Sequence, residues 1–303
     1  MELGMIGLGK MGANMAERLV LGGHKVTGFD PNAAARKALE TKGAGSADSL
    51  QALIKALPTP RVVWLMVPSG KITDDTVNAL IPLLAKGDTV IDGGNSNYKD
   101  SVRRAKLYAD NGLGYVDCGT SGGVWGLKEG YSMMVGGDEK TVDTLSPIFE
   151  TLAPGKAQGW GRVGPVGSGH FTKMVHNGIE YGLMQAYAEG FSILQHKQEF
   201  GLDLKQIGEI WRYGSVVRSW LLDLTTDALG KNPKLDGIAP YVVDSGEGRW
   251  TVDEAIDLNV PAPIITASLI ERLRSRDTES FSDKLLSAMR NEFGGHEIKP
   301  EGK

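Results

Sequence analysis

The chain has 303 residues, 41 % of them hydrophobic and 23 % charged, which is long and apolar enough for two ordinary globular domains and excludes a disordered chain. Its formal net charge of −4, without an evident basic patch, argues against nonspecific nucleic-acid binding. The single Cys118 cannot close an intramolecular disulfide, and neither a signal peptide nor an apolar run of transmembrane length is evident, so a cytoplasmic protein with no membrane partner is expected.

Glycine is the outlier at 41 residues, and it clusters at Gly7–Gly12, Gly93–Gly94 and Gly119–Gly126, where backbone must come close to something. Glu2–Ile6 reads as a buried strand running into GLGKMGAN, whose Gly7, Gly9 and Gly12 fit G-x-G-x-x-G. A helical stretch at Met11–Leu21, a turn at Gly22–Gly23 and a second strand, Lys25–Phe29, ending in Asp30 complete a dinucleotide-binding unit. The first glycine permits the tight turn, the second lets amides approach a pyrophosphate at the helix start, and the third allows helix–strand contact. Gly7, Leu8, Gly9, Lys10, Met11 and Gly12 are therefore candidate cofactor contacts. Asp30 would accept hydrogen bonds from the ribose hydroxyls and repel a 2′-phosphate, which favours NAD over NADP.

Arg61–Val67 is a β-rich run ending in Pro68–Ser69–Gly70, followed by a helical stretch at Thr73–Leu84 and a strand at Thr89–Asp92 ending in Gly93–Ser96. Such alternation predicts a doubly wound parallel sheet of the Rossmann type, with ligands beyond the carboxyl ends of its strands. Met66, Val67, Pro68 and Asn95 fall there. A helix at Ser101–Asn111 leads to a strand at Gly114–Cys118 and a loop, Gly119–Gly130, whose Ser121, Gly122 and Gly123 offer a hydroxyl and amides to a carboxylate. A strand at Tyr131–Gly136, a helix at Glu139–Leu152 and a strand near Ala157–Trp160 close a first domain, residues 1–164. Strand signals then largely stop. Helical patterns at Gly169–His196, Leu204–Arg212, Trp220–Leu229, Val252–Leu258, Ala262–Ser275 and Ser282–Arg290 predict an all-helical second domain, residues 165–290, serving substrate binding and oligomerisation. Residues 291–303 are weakly patterned, a disordered tail or an arm that orders on a partner.

The stretch Gly167–Tyr187 sets Lys173, His176, Asn177 and Glu180 inside an otherwise apolar helix. Offsets of 0, 3, 4 and 7 confine the four to an arc of about 100° and put Lys173 and Glu180 roughly 10 Å apart along the axis. Flanked by Phe171, Met174, Val175, Ile179, Leu183 and Met184, a helix buried on most sides would point a base, an acid and two hydrogen-bonding groups at one cavity. The plain alternative is a surface helix whose Lys and Glu are solvated.

These motifs carry a resemblance. GLGKMGAN, the IDGGNS run Ile91–Ser96, Ser121–Gly123, GHFTKMVHNGIEYG (Gly169–Gly182), GEGRWT (Gly246–Thr251) and RNEFGGH (Arg290–His296) together resemble the decarboxylating 6-phosphogluconate dehydrogenases of the shorter kind. The resemblance implies oxidation of 6-phosphogluconate at C3 with a nicotinamide cofactor, loss of CO2 without a metal, and release of ribulose 5-phosphate, as in the pentose phosphate pathway. It implies Lys173 as general base and Glu180 as general acid. Ser121, Gly122, Gly123, His176 and Asn177 would bind the carboxylate and hydroxyl end of the substrate, Tyr181, Arg249, Thr251 and Arg272 the phosphate end, and Asn95 would contact substrate as well as cofactor. Arg290 and His296 match a C-terminal tail that completes a neighbour's site in the family, so a homodimer or homotetramer is expected. NADP-using members carry Asn-Arg-Thr after the second strand; Asp30–Pro31–Asn32 stands here and again favours NAD.

The chemistry stands without the family. A β-hydroxy acid loses CO2 once its hydroxyl becomes a ketone, and the enzyme needs one base for the hydroxyl proton and one acid for the enol carbon. Burial beside Phe171, Met174 and Val175 would favour the neutral amine that a base requires. Arginines 274 and 276 are expected on a solvated face. Two rivals are a β-hydroxyacid dehydrogenase acting on a small 3-hydroxy acid, which lacks the later Glu, and a catalytically silent NAD-binding sensor, which should lack the base or the acid.

Overall fold

A computed structural model describes residues 1–300. The chain divides into two compact units, Met1–Asn177 and the part beginning at Gly178.

The first unit opens as expected with β1 (Glu2–Ile6), α1 (Lys10–Leu21) and β2 (Lys25–Phe29). Three short elements that the sequence pattern left unassigned follow: α2 (Ala33–Glu40), β3 (Gly45–Ser46) and α3 (Leu50–Ala56). Both helices are too short for a clear period, yet each starts at a side-chain cap, Asn32 accepting from the Ala34 amide and Ser49 from that of Ala52. Then come β4 (Val62–Leu65), α4 (Lys71–Leu80), β5 (Thr89–Asp92), α5 (Tyr98–Asp110), β6 (Gly114–Ser121), α6 (Gly126–Glu129), β7 (Ser132–Gly136), α7 (Glu139–Leu152) and β8 (Trp160–Gly164).

The described strands form one eight-stranded sheet in the order β3-β2-β1-β4-β5-β6-β7-β8. It is parallel except that β7 runs antiparallel to β6, a departure from the all-parallel expectation. The connection between those two strands, residues 122–131, holds a single 3-10 turn and the four-residue α6, too little chain for the crossover that parallel neighbours require. Helices cover both faces. Leu3, Met15, Leu19 and Phe149 lie in the core on one side, and Leu53, Val77, Leu80 and Tyr108 in the core on the other. Strand order reverses between β1 and β4, and the carboxyl ends at that point leave a crevice.

α8 (Ser168–His196) contains the division between the units. The second unit goes on through α9 (Leu204–Trp211), α10 (Trp220–Lys231), α11 (Glu247–Asp257), α12 (Pro263–Arg274) and α13 (Phe281–Gly294), with no strand among its described residues. Its buried centre is small, built on Phe191, Leu222 and Leu229. Ile179, Leu183 and Met184 are exposed, so α8 is not buried on most sides as its apolar pattern suggested. A single chain leaves that stripe uncovered. α13 also runs to Gly294, four residues past the expected end at Arg290, and stops where Gly295 takes a left-handed conformation (φ 61°). Residues 301–303 of the expected tail lie outside the described residues. None of the described helices is long and apolar enough to cross a membrane.

Candidate active site

The crevice at the sheet's switch point has a volume of about 680 Å³ and is lined by the glycine turn, Asp30, Met66–Pro68 and Gly93–Asn95. Each glycine has a separate reason to be there. Gly7 takes φ 89°, and a Cβ on it would lie 2.4 Å from the Met66 carbonyl oxygen. Gly12 would bring a Cβ within 2.0 Å of the Gly7 carbonyl oxygen, so only glycine lets α1 pack on the turn. Gly9, at the N-cap of α1, would meet nothing within 4 Å and opens toward free space, as a backbone meant for close approach by a phosphate does. Leu8 differs from its neighbours. Its side chain is buried in the core and its amide donates to Asp30 Oδ2 at 2.8 Å. Asp30 Oδ1 takes the Asn32 amide at 2.8 Å, so the carboxylate is fixed at the crevice by two backbone donors. These residues fit a dinucleotide. Leu50, Ile72 and Thr76 also line the crevice, and no motif marked them.

Beneath the Gly93–Ser96 loop lies a buried polar network that the sequence did not disclose. Asp92 Oδ2 accepts from Ser96 Oγ (2.9 Å), Tyr115 Oη (2.9 Å) and Arg104 Nη1 (3.1 Å), while its Oδ1 takes the Gly94 amide (3.0 Å). Arg104 Nε reaches Asp74 at the start of α4 (2.8 Å), tying two crevice-lining segments together. Above this, Asn95 stands at φ 50°, uncommon outside glycine, and exchanges two hydrogen bonds with the Thr120 backbone at 3.1 and 2.9 Å. Its side chain thus orients the end of β6 while the residue lines the crevice. Ser121 is the last residue of β6 rather than part of a loop, Gly122 follows at φ 135°, and Gly123 faces open space.

Lys173 is buried, on the second turn of α8. Its Nζ donates to Asn177 Oδ1 at 2.7 Å and stands 3.3 Å from His176 Nδ1, which in turn lies 3.1 Å from Asn177 Oδ1. The predicted base and its two polar neighbours are therefore in mutual contact. Cys118 is inert, its thiol pushed up to about 12 by burial. Among the described residues no group of three or more His, Cys, Asp or Glu side chains is set to hold a metal ion.

In the second unit, Glu180 is half-buried on α8. Tyr181 is buried; its hydroxyl accepts from the Ser245 amide (3.2 Å), and a Cβ on Gly248 would lie 2.4 Å from its ring. The Arg272 guanidinium stacks on that ring, 3.4 Å from its centroid, and donates to the Val243 carbonyl at 2.9 Å. Arg249 grips Asp244 with both arms, at 3.0 and 3.1 Å, and Arg276 pairs with the same carboxylate. The Arg249 fork, with Arg276, holds the Asp244 carboxyl down at about 2. Thr251 is buried, bonded to the Glu247 carbonyl (2.8 Å). Arg276 corrects the expectation of a solvated face, since it shares Asp244 with a predicted phosphate ligand; Arg274 pairs with Asp283 and remains exposed. Arg290, on α13, and His296 beyond it are both exposed.

Residues 2–162 match the family described as the NAD binding domain of 6-phosphogluconate dehydrogenase, and residues 169–291 match its C-terminal domain. Bacillus subtilis (strain 168) YqeC, assigned by name to 6-phosphogluconate dehydrogenase, is 45 % identical over 98 % of both chains. The NAD(+)-dependent, decarboxylating enzyme of Haloferax volcanii is 44 % identical, again over 98 % of both. Among solved structures, Plasmodium falciparum 6-phosphogluconate dehydrogenase superposes with a TM-score of 0.84 at 28 % identity, covering 100 % of this chain and 67 % of that one.

Proposed function

We propose that this chain, which belongs to the 6-phosphogluconate dehydrogenase family, oxidises 6-phosphogluconate with NAD and releases CO2 and ribulose 5-phosphate. The observation that carries the reading is the buried Lys173 amine, held 2.7 Å from Asn177 Oδ1 on the helix whose Glu180 lies seven residues on. NAD, held in the sheet's crevice, would supply the acceptor for the hydride that leaves C3. Gly7, Gly9 and Gly12 would admit its pyrophosphate, and Asp30 its ribose hydroxyls.

The neutral Lys173 amine accepts the C3 hydroxyl proton as the carbonyl forms, and the resulting ammonium then donates to the carbonyl oxygen. Electrons released as the C1 carboxylate departs collect on that oxygen as an enol. Glu180 returns a proton to the carbon that lost CO2. Asn177 fixes the amine's direction, and Ser121 with the Gly122 and Gly123 amides holds the carboxylate. Tyr181, Arg249, Thr251 and Arg272 take the phosphate, with Arg290 and His296 offered to a neighbouring copy in a homodimer or homotetramer. The exposed Ile179, Leu183 and Met184 support such an assembly.

Steady-state rates with NAD and NADP test the reading. Turnover of 6-phosphogluconate should favour NAD, and Asp30→Ser should narrow the preference by removing charge repulsion of a 2′-phosphate. Turnover of a short 3-hydroxy acid, with none of 6-phosphogluconate, would overturn it.

A further inference from the structure

Asp117 sits inside β6, with none of its surface exposed and its carboxyl pushed up by burial. A carboxylate so deep needs donors, and both of its oxygens have one from the start of α8. Oδ1 takes the Gly167 amide at 2.6 Å and Oδ2 takes the His170 amide at 2.8 Å. Those amides stand before and within the first turn, two of the four that a helix cannot satisfy internally. A negative group there also complements the helix dipole.

Glycine lines the contact. A Cβ on Gly169 would lie 2.5 Å from the Met134 carbonyl oxygen and 2.6 Å from that of Asp117, and one on Gly136 would lie 2.4 Å from Asp117 Oδ1. At Gly169 the helix backbone lies directly against the strands. Two residues along β6, a Cβ on Gly119 would lie 2.4 Å from Lys173 Cβ, and two residues further the strand ends in Ser121. One strand therefore fastens the helix, abuts the lysine and delivers the carboxylate-binding residues. A second tether runs from the His170 ring to Ser101 on α5, at 2.7 Å.

We infer that Asp117 is a positioning residue for Lys173: by holding both amides of the helix start it sets the distance from the Lys173 amine to the Ser121–Gly123 segment. The inference rests on the base role proposed for Lys173.

Asp117→Asn keeps the size but leaves one oxygen for two amides and turns an NH2 toward the other, which forces the helix start to shift. Measured in the full chain, kcat should fall about 10- to 100-fold, the loss that a misplacement near 1 Å produces. NADH affinity, read by fluorescence, should stay within roughly twofold, because the nucleotide crevice is built from other segments. Gly119→Ala keeps the Asp117 carboxylate but sets a methyl 2.4 Å from Lys173 Cβ and 2.7 Å from the Gly169 carbonyl oxygen, so it pushes on the lysine and the helix start together and should show the same split; it carries the test if Asp117→Asn does not fold. Amide exchange over residues 167–177 should quicken in Asp117→Asn whatever the substrate. Wild-type kcat retained in both variants would overturn the inference, as would parallel loss of NADH binding or unchanged exchange. A wild-type chain inactive on 6-phosphogluconate, with exchange altered as expected, would instead sink the base role and leave the anchoring intact.

Discussion

The two units handle charge in opposite ways. In the first, Asp92, Arg104 and Asp117 are buried and satisfied by one another, by hydroxyls and by backbone amides. In the second, Arg249, Arg276 and Asp244 form a cluster of side chains with both arginines partly open to solvent. Buried groups of the first kind have a single arrangement, because any other would strand a charge. The second kind can exchange partners, and a phosphate arriving at Arg249 would compete with Asp244 for the same fork. The position of Lys173 in the first unit is thus a property of the fold, while the arginines of the second are set by side chains able to exchange partners.

The comparison breaks most visibly at Lys173. Lys173→Met should cut kcat about 10³-fold with NADH affinity nearly unchanged; parallel loss of both would mean that the buried amine serves the fold instead. Arg104→Met should be next, since it strands Asp92 in the core. Urea unfolding should then show a loss of about 3–5 kcal/mol, whereas Arg249→Met, which removes a half-exposed arginine and leaves Asp244 paired with Arg276, should cost less. Equal losses would erase the distinction. Arg272→Ala should raise KM for 6-phosphogluconate roughly 10-fold with less effect on kcat, because the proposed phosphate contact would be made in ground and transition states alike. The smallest effect concerns acid. Asp244 titrates lower folded than unfolded, so its contribution is present above its ordinary value near 4 and is lost as the pH falls toward 2. Thermal unfolding across that range should show the loss in wild type and a weaker one in Asp244→Asn.

What could be read in the sequence was whatever local covalent geometry dictates. The turn at Gly7–Gly12 and the acid at Asp30 were legible because only glycine allows those approaches and the spacing is fixed by one strand–helix–strand unit. The row from Lys173 to Glu180 was legible because a helix has one period. The antiparallel β7 was not, since direction depends on how little chain joins it to β6. Nor was the network around Asp92 and Arg104, because a charged residue next to a loop looks solvated until its partners, twelve residues apart, fold together. Asn95 read as a ligand contact and does line the crevice, but the two bonds by which its side chain also holds the Thr120 backbone depend on a fold partner 25 residues away and were not legible. Arg276 and Arg274 look alike in sequence, and only the position of Asp244 separates them.

The most direct measurement follows NADH and CO2 together as 6-phosphogluconate is consumed with NAD. Equal molar amounts of the two are predicted, since one hydride and one carboxylate leave each substrate molecule. NADH without CO2, or reduction only on a short hydroxy acid, would contradict the account.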